Sequence, residues 1–438
     1  MKDINIGILG LGTVGTGVAR LLLENDSILT QRLGVRLCLK RIADIDIHTD
    51  RGISIPKGLL TTDAFQVIGD PDIDIVVETI GGETFAKEFM LAAIDNGKHV
   101  VTANKALLAK HGNTILQKAS ENAVELAFEA SVGGCMPIIK TIRESLVGNT
   151  ILGLSGILNG TCNYILSKIS TGGLSYAEAL AEAQKKGYAE ANPALDVNGD
   201  DTAHKLAILM ALSYGMTIQL EDIYTEGITK ITPMDIQFAH QFGYCIKLLA
   251  ITKIVEQKNA VEARVHPTMI PYSNMLSNVH DSYNAISIIG DAIGEMVLYG
   301  YGAGMMPTAS AVISDISDLA RNIQTSAGNR IPTLSYLPQH IQRLPVLPIE
   351  DTICRFYFRF TAIDTPGVLS KIAGVLGENN ISIDCVHQKG RKSKQAVPIV
   401  MLTHQAREAD VRSALSKIQG LDVVWEEPVL IRIEDNVE

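Results

Sequence analysis

The sequence predicts an α/β chain in three parts: a parallel sheet wound with helices, a central α+β region, and a compact β-α-β-β-α-β unit of ferredoxin-like order. Three observations carry this. From Ile4 to Phe128, short Val- and Ile-rich runs alternate with longer helical patterns. From about Ser131, Gly- and Asn-rich turns mix with long amphipathic helices. After a proline-rich stretch, strand and helix patterns follow in the order of the third unit. The parts are expected at residues 1–130, 131–328 and 351–438, with 329–350 as a connector.

In the first part, strands are expected at 4–9, 35–42, 73–78, 99–102 and 124–128. In the second, helices are expected at 176–186 and 201–214. The connector holds Pro332, Pro338, Pro345 and Pro348; proline removes an amide donor and disfavours helix before it, so the segment reads as semi-rigid. The third part reads as strand 352–361, helix 367–378, strands 381–388 and 397–404, helix 408–418 and strand 421–433.

Composition excludes several classes. With 438 residues, 46% hydrophobic and 20% charged, the chain is neither disordered nor fibrous. Lys and Arg number 38 against 48 Asp and Glu, a net charge of −10 that disfavours nucleic acid as a partner. The six cysteines are scattered without metal-ligand spacing, as free thiols in a reducing compartment would be. The N-terminus lacks a signal-peptide pattern, and the uncharged stretches 145–167 and 296–314 are broken by Asn, Gly and Pro. A cytoplasmic protein without a membrane partner is expected.

Between the first strand and a helical pattern stands Gly10-Leu11-Gly12-Thr13-Val14-Gly15. Such glycines permit a tight turn and a close approach of backbone amides to a pyrophosphate at a helix N-terminus, so the first part reads as a Rossmann-type domain. Asp44, after the second strand, suits a ribose 2′-hydroxyl and hence NAD, whereas Lys40, Arg41 and Arg51 suit the 2′-phosphate of NADP. NADH and NADPH both remain open.

Oxidoreduction between an aldehyde and an alcohol also needs a group that passes a proton. Asp201 and Lys205, at i and i+4, share one face of a helix, and Glu190 and Asp196 precede them in a turn segment. That spacing alone is more often the pattern of a surface ion pair than of a catalytic pair.

Four stretches resemble the homoserine dehydrogenase family of the long monofunctional type. They are Thr102-Ala103-Asn104-Lys105, the run from Glu129 to Ile139, Gly156-Ile157-Leu158-Asn159-Gly160-Thr161-Cys162-Asn163-Tyr164-Ile165-Leu166, and the run from Gly187 to Lys205. The resemblance implies that Lys205 donates the proton to the aldehyde oxygen of L-aspartate 4-semialdehyde, giving L-homoserine. It implies that Asp201 and Glu190, with Asp196 beside them, hold the substrate, and that Lys105 contacts cofactor and substrate. Gly187 and Gly302 would line the nicotinamide side, and Thr13 and Val14 the pyrophosphate. It further implies a structural sodium ion on the Glu129 side chain and the carbonyls of Val132, Gly134 and Met136. Cys135 departs from the small residue, most often glycine, that is usual there, and Glu129 could equally cap local amides.

The third part carries Asp364-Thr365-Pro366-Gly367-Val368 between a strand and a helix and resembles an ACT domain. This implies an amino-acid effector, in this family L-threonine, in an enzyme serving threonine, methionine and isoleucine biosynthesis. A module that only pairs subunits is the alternative. A homodimer or homotetramer is expected. Rival readings of the whole chain are a dehydrogenase of another small amino or hydroxy acid, and a nucleotide-sensing regulator without catalysis.

Overall fold

A computed structural model describes residues 3–388 and 396–435. The first part forms a six-stranded sheet in the order Leu60–Thr61, Arg36–Ala43, Asp3–Leu9, Ile75–Glu78, His99–Thr102, Leu126–Ala127, with all pairs parallel. Helices cover both faces, which is why Ile75–Glu78 is buried along its whole length and reads as an unbroken apolar run closed by a glutamate. The order reverses between Asp3–Leu9 and Ile75–Glu78, and the glycine loop leaves the sheet at this switch point, where open parallel sheets receive ligands. The last strand spans only Leu126–Ala127, because Glu129–Ser131 already turns as a short 3-10 helix.

Helix Met305–Thr325 lies far along the sequence yet packs on the first part, burying Ala309, Val312, Ile316 and Ala320 in one cluster with Ile4, Ile6 and Val18. Its approach is close: a Cβ on Gly17 would meet the Met305 carbonyl oxygen at 2.9 Å.

The central and C-terminal parts share a second, eleven-stranded sheet. Its main path runs Gly294–Tyr301, Tyr283–Gly290, Ile151–Ile157, Tyr244–Val255, Ala260–Pro271, then Val429–Ile433, Ile353–Ile363, Ala396–Thr403 and Ile383–Gln388. The join is parallel, with Thr268 opposite Arg432 and Met269 opposite Ile433. Buried ion pairs reinforce it. Arg432 donates to Glu408 and Glu226, the latter at 3.0 Å, and Arg264 pairs with Glu262 and Glu434.

The C-terminal unit has the expected order, with helices Val368–Glu378 and Glu408–Gln419 on one face of its strands. Its last strand is shorter than the sequence suggests. Only Val429–Ile433 pairs as a strand, since Glu426, Glu427 and Pro428 interrupt the run and proline has no amide for the ladder. The connector is tied down: Gln342 exchanges backbone bonds with Gly215 and Thr217, and Val261 with Pro345 and Leu347. The two uncharged stretches each divide between a strand and a helix, and among the described residues no helix is long and apolar enough to cross a membrane.

Candidate active site

Two cavities flank the glycine loop. The first, about 640 Å³, is lined by Gly10, Gly12, Asp44, Arg51 and Thr79. The second, about 570 Å³, is lined by Thr13, Val14, Lys105, Glu190, Asp201 and Lys205 among others. The loop thus stands where a molecule spanning both cavities would pass.

The three glycines do different work. Gly10 has φ +95°, a conformation that L side chains rarely adopt, and a Cβ there would strike the Ile80 amide at 2.8 Å. A Cβ on Gly15 would lie 1.9 Å from the Gly10 carbonyl oxygen, so helix Thr13–Glu24 can leave the loop only with glycine there. Gly12 faces open space, with nothing within 4 Å of the Cβ position. No side chain caps this helix, so its first-turn amides are free to meet an anion. An uncapped helix start and an open glycine cradle fit a dinucleotide pyrophosphate.

Asp44 lines the first cavity but is engaged: one carboxylate oxygen accepts from the Leu11 amide, the other from Asp46 N at 2.8 Å. Of the three cations weighed against it, only Arg51 lines this cavity, 3.2 Å from Asp46. Lys40 and Arg41 are held outside it by Asp72 at 2.9 Å and Asp70 at 3.8 Å.

The second cavity holds the ionic cluster. Helix Asp200–Tyr214 is buried along nearly all its length, so Asp201 and Lys205 are not a surface bridge. Lys205 Nζ donates to Asp201 Oδ2 at 2.7 Å and to the Leu158 carbonyl at 2.6 Å. Lys105 Nζ stands 3.1 Å from Asp201 Oδ1. Lys105 opens helix Lys105–Glu121 just beyond strand His99–Thr102, and Asn104 caps that helix by accepting from Leu107 N. Burial works to raise the Asp201 carboxyl, but Lys205 and Lys105 outweigh it and hold the group well below the usual carboxylate range. Asp201 in turn raises the Lys105 ammonium above its ordinary value.

Asp196, on the turn Ala194–Val197, lies beside Asp201, and burial pushes its carboxyl up. Glu190 is exposed at the rim. Gly187 and Gly302 border the same cavity; the approach at Gly302 is close, since a Cβ there would meet Asn284 Nδ2 at 1.9 Å. Of the proposed site residues, the structure therefore brings Thr13, Val14, Lys105, Gly187, Glu190, Asp196, Asp201, Lys205 and Gly302 to one cavity, with Gly10, Gly12 and Asp44 in its neighbour.

Glu129 caps local amides, with Ile139 N donating to one carboxylate oxygen at 2.9 Å and Lys140 N to the other at 2.8 Å. Burial, then the nearby Asp315 carboxyl, pushes Glu129 up to about 7. Capping does not exhaust a carboxylate's lone pairs, so the group still suits a cation. The carbonyl of Met136 accepts from Ile138 N, while those of Val132 and Gly134 receive no backbone amide among the described residues. This set of hard oxygens fits a monovalent cation. Cys135 is accommodated beside Gly300, where a Cβ would come within 2.9 Å of its sulfur.

The sequence reading missed Asn159 and Asp315. Asn159 gives both Asp196 and Asp201 a hydrogen bond, and Asp315 accepts the Glu129 amide at 2.8 Å. An acid on the apolar face of helix Met305–Thr325 was the available signal for Asp315.

Comparisons with known proteins identify the family. The family model described as the homoserine dehydrogenase NAD binding domain matches residues 10–129, and the ACT domain model matches 356–423. Fold and site together define a nicotinamide-dependent oxidoreductase with a C-terminal ACT domain. The homoserine dehydrogenase model matches 137–317. The chain is 44% identical over 437 residues to a homoserine dehydrogenase of Pseudomonas aeruginosa and 43% over 434 residues to that of Neisseria gonorrhoeae, with 99% of each chain covered. A crystal structure of a homoserine dehydrogenase from Thiobacillus denitrificans superposes with a TM-score of 0.93 at 44% identity, covering 99% of both chains. A hyperthermophilic archaeal homoserine dehydrogenase mutant in complex with NADPH matches 72% of this chain and 97% of its own, with TM-score 0.60 and 28% identity. The chain belongs to the homoserine dehydrogenase family.

Proposed function

We propose that the chain interconverts L-aspartate 4-semialdehyde and L-homoserine with NADPH or NADH, in the service of threonine, methionine and isoleucine biosynthesis. The observation that carries this reading is the Lys205–Asp201–Lys105 cluster in a cavity entered by the glycine loop. A lysine ammonium has three N–H donors; Lys205 spends two on Asp201 and Leu158, and the third is left for the cavity. When bound, the cofactor supplies the hydride for the aldehyde carbon. Lys205 gives its proton to the oxygen that becomes the hydroxyl, and takes it back in the reverse direction. Asp201 keeps that ammonium in place and, with Glu190 and Asp196, receives the substrate ammonium, and Lys105 bridges substrate and cofactor.

Glu129 with the carbonyls of Val132, Gly134 and Met136 would hold a structural sodium ion. L-threonine is the proposed effector, bound at the Pro366–Gly367 turn, where Gly367 (φ +92°) precedes helix Val368–Glu378 without a side-chain cap. A homodimer or homotetramer is supported by the edge strand Gly294–Tyr301, whose exposed Tyr299 and Tyr301 stack on Tyr283.

The test compares L-homoserine with 4-hydroxybutyrate, which lacks the ammonium. Oxidation of homoserine at least a hundredfold faster, by kcat/KM, supports the reading; equal rates overturn it.

A further inference from the structure

Strand Ile151–Ile157 is followed by the dipeptide Leu158–Asn159, which touches three groups of the cluster, Lys205, Asp196 and Asp201. The Leu158 carbonyl takes one N–H of Lys205 at 2.6 Å. The Asn159 side chain is buried, at 4% exposure, in extended backbone immediately before helix Gly160–Gly172. Its Oδ1 accepts from Cys162 N at 2.8 Å, capping that helix. This bond fixes which end of the amide is oxygen, so Nδ2 must point the other way. There it gives one hydrogen to Asp196 Oδ1 at 2.7 Å and one to Asp201 Oδ2 at 2.9 Å. The accepting oxygen of Asp201 is the one that also receives Lys205 at 2.7 Å.

Two carboxylates brought together in a mostly buried site repel, and an ordinary way to hold them is to place a donor between them. An amide NH₂ is neutral and carries two N–H donors, so it can donate to both at once. We infer that Asn159 is a positioning residue of the reaction: it clamps Asp196 to Asp201, and through Asp201 sets the direction of the remaining Lys205 N–H. The helix cap is the device that orients the amide for this purpose. The inference rests on Lys205 as the proton donor and adds to it the residue that aims it.

Asn159→Ser and Asn159→Asp both keep a cap acceptor for Cys162 N, so the helix start is preserved. Serine loses the two-way donor. Aspartate loses it as well and adds a third carboxyl. With homoserine and NADP⁺, both variants are expected to lose at least tenfold in kcat while KM for NADP⁺ changes less than twofold. For Asn159→Asp the deficit should shrink as pH falls below neutral, because the substituted carboxyl, once protonated, regains one donated bond; for Asn159→Ser it should be flat. A residue that only capped its helix would give neither the kcat loss nor the difference in pH profile.

Turnover within twofold of wild type for both variants overturns the inference. So does failure of both to fold by thermal melting, which would make the Asn159 amide a requirement of the fold rather than of the reaction. Wild type and Lys205→Ala are assayed alongside. An active Lys205→Ala, or a wild type inactive on homoserine, overturns the proton-donor reading and this inference together. An inactive Lys205→Ala beside active Asn159 variants overturns the inference alone.

Discussion

Removing Lys205 should separate chemistry from binding. In Lys205→Ala the ammonium that donates to Asp201 and Leu158 is gone, while Asp201 keeps Lys105 at 3.1 Å and Asn159 at 2.9 Å. The buried carboxylate therefore retains a cation and a donor, and the variant should stay folded. General acid–base groups contribute about 10²–10⁴ in rate, which at about 1.36 kcal/mol per tenfold is roughly 2.7–5.5 kcal/mol of barrier. Lys105 holds the same carboxylate but is anchored on a different helix, so it should not take over the transfer. The expected kcat for homoserine oxidation is thus lower by about 10²–10⁴-fold. The first cavity has no part of Lys205 in its lining, so NADPH affinity, read from its fluorescence on titration, should stay within twofold. A kcat within threefold of wild type would refute the role; a parallel collapse of cofactor affinity would mean that the variant damages the fold.

Four further outcomes are expected. Gly12→Ala meets no protein atom within 4 Å of the new Cβ, so its melting temperature should match wild type while NADPH affinity falls at least tenfold; Gly15→Ala, 1.9 Å from the Gly10 carbonyl, should lose stability as well. Arg432→Met strips the buried Glu408 of its Arg432 hydrogen bonds at the join of the second sheet and leaves it Arg412 at 3.0 Å, and should cost about 1.5–3 kcal/mol in denaturant unfolding. Asp201 is held below its unfolded value, so it contributes stability that is present above about pH 4 and lost as pH falls toward its folded pKa; Asp201→Asn should remove that part of the acid sensitivity in melts compared at pH 7 and pH 3. L-threonine should inhibit the wild-type chain at millimolar concentrations, and no change in rate or in melting temperature at that level would dismiss it as effector.

The parallel sheet was legible because its strands are apolar runs bounded by glycine and charged residues, and because the loop from Gly10 to Gly15 marks its switch point. The long strands Tyr244–Val255 and Ala260–Pro271 were not. They alternate only loosely, being buried on both faces over much of their length, and carry Lys247, His266 and Arg264 inside the fold. Nor could the sequence show that Val429–Ile433 adds to Ala260–Pro271, since the partners are more than 150 residues apart. At the site, helical spacing put Asp201 and Lys205 on one face, but only the resemblance singled out these two and Lys105, since the spacing by itself is that of a surface bridge and burial of the helix is not written in it. Asn159 was hidden because one visible role, capping a helix, masks the second: its partners Asp196 and Asp201 lie 37 and 42 residues further on. Glu129 shows the converse, since the capping reading left open for it is what the geometry displays. That Asp44 is engaged by the Leu11 and Asp46 amides, and Arg51 by Asp46, is something composition does not reveal.

The most direct test follows the appearance of reduced nicotinamide when the full-length chain meets L-homoserine with NAD⁺ and, separately, with NADP⁺. Steady turnover with at least one of the two, reversed on addition of L-aspartate 4-semialdehyde and the reduced cofactor, is the predicted result. No absorbance change with either cofactor would contradict the proposed reaction.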